Sequence, residues 1–133
     1  ETLRREPLVW VGAPGGQAWR ARPLRFASCA HCVFKRPALD AMEAAGIPWE
    51  FAVDSISTAA IDATVAADLA VSVQLESAVP ARCEAIRHCG ALPQLPDHRV
   101  NMYIAPGPRA VLAERLAGFL RQSYGVAESL AAE

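Results

Sequence analysis

Trp49-Glu50-Phe51-Ala52-Val53, followed at once by Asp54-Ser55-Ile56-Ser57-Thr58, is the stretch on which the fold turns. Five residues of strand-forming character run into a cluster of short polar side chains of the kind that cap a helix start. Beyond the cluster, Ala60, Ile61, Thr64, Val65 and Ala67 recur at helical spacing. Moving outward, Leu24 to Ala27 predicts a short strand, and the spacing of Phe34, Ala38, Leu39, Met42 and Ala45 predicts a helix from about Val33 to Ala45. Gly46 stops that helix, and Pro37 fits only in its first turn. Leu69 to Leu75 predicts a further strand. The middle of the chain therefore alternates β-α-β-α-β with short links, the pattern of an α/β fold with an open, mostly parallel sheet flanked by helices.

Toward the amino end, Pro7-Leu8-Val9-Trp10-Val11 is an apolar run closed by Gly12 and the Pro14-Gly15-Gly16 cluster, and it predicts a strand buried on both faces. Toward the carboxyl end, Ala81 to Ile86 admits a short helix, and Gly90, Pro93 and Pro96 mark a loop. Val100-Asn101-Met102-Tyr103-Ile104 predicts another strand. Beyond Pro106-Gly107-Pro108 an amphipathic helix gathers Leu112, Leu116, Phe119 and Leu120 on one face and ends at Gly125, leaving the last eight residues as a frayed tail.

The chain has 133 residues, 53% of them apolar, enough for one packed core. Thirteen basic and fourteen acidic side chains leave a formal net charge of -1, with no Lys/Arg cluster that could track a phosphate backbone. No stretch reads as a signal peptide or membrane span, so a cytoplasmic protein with no membrane partner is expected. The four cysteines are expected as thiols, since a domain of this size does not require disulfides.

Several motifs could carry chemistry. Cys29-Ala30-His31-Cys32, between a strand and a helix, has the spacing of thiol-disulfide oxidoreductases, in which a helix amino terminus favours thiolate. Such an enzyme would also need a cis-proline beside the motif, and Val79-Pro80 precedes a helical pattern. Cys83 and Cys89 are poorly spaced to complete a zinc site, so no metal is expected. His31, His88 and His98 fall into no triad order, and Gly12-Ala13-Pro14-Gly15-Gly16 lacks the helix that a phosphate loop requires. Asp40, Glu43, Asp62 and Asp68 read as solvated helix faces. No catalytic set emerges, no cofactor is expected, and a non-enzyme is the expectation. The two helix starts, Ser28 to Val33 and Asp54 to Thr58, both follow parallel strands, where free N–H groups and hydroxyls face a ligand crevice. Ser55 and Ser57 are equally explained as caps, and Asp54 disfavours an anion close by.

The order of these segments resembles the regulatory domain of LysR-type transcriptional regulators. Pro7 to Val11 is similar to that family's first crossover strand, and Cys32-Val33-Phe34-Lys35-Arg36-Pro37-Ala38-Leu39 to its Cys-x-x-Arg-x-x-Leu stretch. Ala44-Ala45-Gly46-Ile47-Pro48-Trp49 matches its helix-turn-strand, and Leu69-Ala70-Val71-Ser72-Val73 through Val79-Pro80 its Gly-Val-x-Val-Leu-Pro...Val-Pro run. Asn101 to Ile104 resembles the returning crossover strand. Asp68 and Ala70 stand where family members often carry glycine, so the turn there must form without the residue that tolerates positive φ most easily.

The resemblance implies a periplasmic-binding-protein-like (type 2) fold. About residues 12–100 would form subdomain two, with 1–11 and 101–133 supplying crossover strands and the carboxyl-terminal part of subdomain one; the helix-turn-helix domain would lie outside this sequence. It implies an effector-sensing module that binds a small, anionic metabolite in an inter-subdomain cleft, with Ser28, Cys32, Val33, Ser55, Ile56 and Ser57 as ligand contacts. Self-association as a homodimer or larger species is implied, and DNA contact only through the absent domain. Two thiol-based alternatives stay open: an oxidoreductase using Cys29 and Cys32, and a redox-sensing regulator. The family's peroxide sensors place a second cysteine about nine residues after the one matching Cys32, where Ala41 stands here.

Overall fold

A computed structural model describes residues 1–125; the tail expected over the last eight residues lies outside them. The chain divides into two compact units, one formed by Pro7–Asp97 and the other by Glu1–Glu6 together with the residues from His98 onward.

In the unit of Pro7–Asp97, β2 (Leu24–Cys29) and β3 (Trp49–Ser55) are parallel and are joined by α1 (Lys35–Ala44). A second crossover, α2 (Thr58–Ala66), returns the chain to Val71, which bridges Phe26 in parallel. Ala27 N donates to Val71 O at 2.8 Å and Val71 N to Arg25 O at 2.9 Å. The parallel arrangement thus covers the segments that helices connect, as the alternating pattern implies. β1 (Thr2–Gly12) has no helical crossover to β2, and its inner half pairs antiparallel with β4 (Ser72–Leu75) and with β5 (Glu84–Ala85).

Residue alternation along β2 distributes two cores. Leu24 and Phe26 point to one face, where they pack with Leu8, Trp10, Ala38, Met42, Val71 and Val73. Ala27 points to the other, with Val11, Ile61, Val65 and Ala70. Each helix therefore seals one face of the parallel strands, α1 through Ala38 and Met42 and α2 through Ile61 and Val65. Buried Trp10 keeps its indole N–H satisfied by donating to Pro93 O at 2.8 Å.

Both helices end in the same way. Gly46 sits at φ 65, with Gly46 N donating to Glu43 O and Ile47 N to Met42 O, the paired bonds of a Schellman turn. After α2 the same pair runs from Asp68 N to Val65 O and from Leu69 N to Thr64 O, but the left-handed position is taken by Asp68 at φ 59. A non-glycine residue there costs about 1–2 kcal/mol. The side chain offsets this, because its carboxylate accepts from Gln17 N at 2.9 Å and Ala18 N at 3.0 Å, capping the 3-10 turn Ala18–Arg20. Asp68 is thus a tether between two turns and not a bare solvated carboxylate.

Three expectations are corrected. Ala81 to Ile86 is not helical: Glu84 and Ala85 pair with Gly12 and Val11, and Ile86 N donates to Trp10 O, because the open side of β1 supplies partners that a single isolated helical turn lacks. The strand expected at Leu69 to Leu75 begins only at Ser72, since Leu69 still belongs to the turn closing α2 and Val71 makes a lone bridge. The strand expected over Val100 to Ile104 is instead β6 (Asp97–Asn101), and it pairs with β1.

In the other unit, α3 (Ala110–Ser123) buries Ala117 and leaves Leu112, Leu116 and Phe119 each about 60% exposed or more. Arg121 makes a two-nitrogen contact with the Glu1 carboxylate, 2.8 Å at its shortest, which holds that carboxyl below its ordinary range. Among the described residues no helix is long and apolar enough to cross a membrane.

His88 anchors the loop before Pro93. Its Nδ1 accepts from Gly90 N at 3.2 Å and Leu92 N at 3.3 Å, which requires the unprotonated nitrogen. Burial depresses its pKa below 6.5. With the folded pKa lowered, the contribution of His88 is fully present above pH 6.5 and is lost as pH falls through the folded value. Urea unfolding between pH 8 and pH 5 should therefore show stability dropping on the acid side, and His88→Gln should flatten that part of the profile.

Candidate functional site

A cavity of about 190 Å³ lies at the carboxyl end of β2, within the unit of Pro7–Asp97. Four segments wall it: Phe26 to Cys29 of β2; Cys32, Phe34 and Lys35 at the entry to α1; Thr58 and Ile61 of α2; and Ser72, Val73 and Gln74 of β4. Both crossovers begin here because parallel strands deliver their helices at one edge of the sheet. The bulge between Phe26 and Ala27, where Ala52 is the unpaired residue of β3, shifts the register so that Ser28 faces Asp54 and Cys29 faces Ser55. Ala30 N then donates to Ser55 O at 3.0 Å, tying the two loops together.

Among the residues singled out in the sequence, Ser28, Cys29 and Cys32 line the cavity. Ser28 is buried, with its hydroxyl directed at Cys29 O. Val33 and Ile56 are 66% and 79% exposed and lie outside the lining. Ser57 Oγ caps α2 by accepting from Ala60 N at 3.3 Å, and Ser55 Oγ holds that cap residue by accepting from Ser57 N at 3.1 Å. Cys29 and Cys32 are free thiols, both part-exposed, bracketing a turn in which Cys32 N donates to Cys29 O at 3.1 Å. Cys83 is buried beside Asp62, and burial first, then that charge, raises its thiol pKa. Among the described residues no group of His, Cys, Asp and Glu side chains could hold a metal ion.

Thr58, the end of the predicted Asp54 to Thr58 helix start, also lines the cavity, whereas Lys35, Ser72 and Gln74 are lining residues that the sequence did not single out as contacts. Ser72 and Gln74 were findable, as the polar alternate positions of a strand otherwise apolar. Lys35 supplies the charge of the site. Its ammonium lies 2.8 Å from Asp54 Oδ2 and 4.8 Å from the centroid of the Phe51 ring, with its side chain only 22% exposed. Asp54, expected to disfavour an anion close by, is paired with the Lys35 ammonium. No side chain caps the start of α1, where Lys35 N donates to Cys32 O at 3.2 Å and Pro37 carries no N–H.

Two further cavities among the described residues are large enough to compare. One of about 590 Å³ lies between the Gly15–Gly16 turn and Glu84–Arg87. Its Glu84 carboxylate accepts from Gly15 N at 3.0 Å, and no α-helix starts at its wall. The other, about 420 Å³, lies in the unit containing α3, lined by Met102 to Ala110 and the inner face of that helix. It is overwhelmingly apolar.

No family model matches the chain. It is 35% identical over 97 residues to the HTH-type transcriptional regulator DgdR of Burkholderia cepacia, covering 72% of this chain and 33% of that protein. The chain thus spans about a third of the length of that curated relative. Among solved structures, the Synechocystis PCC6803 CcmR regulatory domain in complex with 2-PG matches 99% of this chain and 68% of that one, with a TM-score of 0.62 at 12% identity. A putative LysR family transcriptional regulator from Pseudomonas aeruginosa matches 94% of this chain and 48% of that one, with a TM-score of 0.57 at 12% identity.

Proposed function

Since this chain belongs to the LysR-type regulatory domains, we propose that it is an effector-sensing module whose 190 Å³ cavity receives the acidic group of a small anionic metabolite. The observation that carries this reading is Lys35, a cationic residue that lines the cavity at the entry to α1 with its side chain 22% exposed. The solved relative that holds 2-PG in its regulatory domain supports a small-molecule effector. Ser28, Cys32, Thr58 and Ser72 would supply the polar contacts around the charge. Val33, Ser55, Ile56 and Ser57 would adjoin the effector from outside the lining, next in sequence to the lining residues Cys32, Phe34 and Thr58. The role is binding and not catalysis, and DNA recognition would belong to a helix-turn-helix domain outside this sequence. Effector binding would act by favouring one conformation of the regulator over another. Residues 7–97 would correspond to subdomain two and the other unit to part of subdomain one.

Thr58 offers a direct test, because it is exposed at the first turn of α2 while its residue lines the cavity. Thr58→Trp should fill the space and weaken effector binding at least tenfold by calorimetric titration, with circular dichroism unchanged. Undiminished affinity would place the effector elsewhere.

The reading includes self-association, supported by the exposed Leu112, Leu116 and Phe119 of α3. Light scattering should give a homodimer or a larger species, reduced to monomer by Leu116→Glu. A monodisperse monomer at high concentration would contradict it.

A further inference from the structure

Cys29 and Cys32 stand at the two ends of one hydrogen-bonded turn and both line the same cavity, part-exposed and unbonded. A turn closed by an i to i+3 bond brings its end Cα atoms within about 7 Å. Disulfides span Cα separations of about 4.4–6.8 Å. The segment is therefore already folded near the geometry of a bridge, and Ala30 and His31 between the cysteines belong to no strand or helix that bridging would break. The other two thiols are differently placed: Cys83 is buried with a raised pKa, and Cys89 is exposed on the His88 loop outside this cavity.

We propose that Cys29 and Cys32 are a reversible thiol-disulfide pair, oxidised by a peroxide and restored by a dithiol, that reshapes one wall of the cavity. One thiolate attacks a peroxide oxygen, the O–O bond breaks, and a sulfenic acid forms as hydroxide leaves and is protonated to water. The second thiol attacks the sulfenic sulfur, the S–S bond forms, the S–O bond breaks, and a second water leaves. Two thiols have then lost two electrons and two protons, and hydrogen peroxide has become two waters. A dithiol returns both thiols by exchange and becomes a disulfide itself. Bridging draws the Cys32 sulfur toward Cys29 and shifts the entry to α1, which carries Lys35. The consequence for effector binding rests on the reading above, whereas the thiol chemistry does not.

The test uses the full chain exposed to hydrogen peroxide, alkylated, digested and weighed, with no effector present. The expected product is a peptide carrying an internal Cys29–Cys32 bond, two hydrogens lighter and unalkylated, restored to two alkylated thiols by dithiothreitol. Cys29→Ser and Cys32→Ser should each abolish it, and Cys89→Ser should leave it intact. Full alkylation of both residues after peroxide, a bond to Cys83 or Cys89, or oxidation that dithiothreitol does not reverse would overturn the proposal. Amide spectra supply the second arm: oxidation should move the signals of Ser28, Lys35 and Thr58, and a bond formed without those shifts would overturn the role assigned to the wall.

Discussion

Phe26→Ala should lower the unfolding free energy by about 3–5 kcal/mol, the range for truncating a buried phenylalanine. Phe26 is 1% exposed at the centre of the parallel strands. Its ring meets Trp10 edge-on at 6.3 Å and lies against Phe51 at 6.2 Å, and its backbone bridges Val71. Alanine would remove these ring contacts and leave a void that α1 cannot collapse into, because Ala38 and Met42 are already fully packed. At about 4 °C or more per kcal/mol, the melting temperature should fall by roughly 12 °C or more. Calorimetry checks this, and a change below 1 kcal/mol would show that the core lies elsewhere.

The second large effect falls on binding. Lys35→Met keeps the length of the stem but removes the ammonium of the cationic residue that lines the cavity. Losing a charge-assisted contact costs about 1.5–3 kcal/mol, so effector affinity should fall about ten- to a hundredfold. The fold should be little affected, since Asp54 is exposed enough for water to replace the lost partner. Lys35→Arg should retain most of the affinity. Titration of the three proteins with one effector separates the outcomes, and equal affinity for wild type and Lys35→Met would remove Lys35 from the site.

The two crossovers were legible because each carries its own local punctuation. Gly46 stops α1, Ser57 caps α2, and the apolar positions Ala38, Met42, Ile61 and Val65 recur at helical spacing. What could not be read is pairing between segments distant in sequence. β5 is two residues long and exists only because Val11 and Gly12 offer it a partner. Asp68 looked like a surface carboxylate because its partners, Gln17 and Ala18, lie some fifty residues earlier. The site divides along the same line. Ser28, Cys29 and Cys32 fall in one local motif at a strand end, whereas Lys35 gains its meaning only from Asp54 and Phe51 on the neighbouring strand.

The central claim is that an acidic effector enters the cavity at the carboxyl end of β2. It is tested most directly by amide chemical-shift mapping of the chain during titration with an effector drawn from a screen of phosphate- and carboxylate-bearing metabolites, 2-PG among them. The predicted result is that the largest shifts fall on Ser28 to Lys35, Ser57 to Thr58 and Ser72 to Gln74, and that they vanish in Lys35→Met. Largest shifts at Gly15 to Trp19 and Glu84 to Arg87, or along α3, would contradict it.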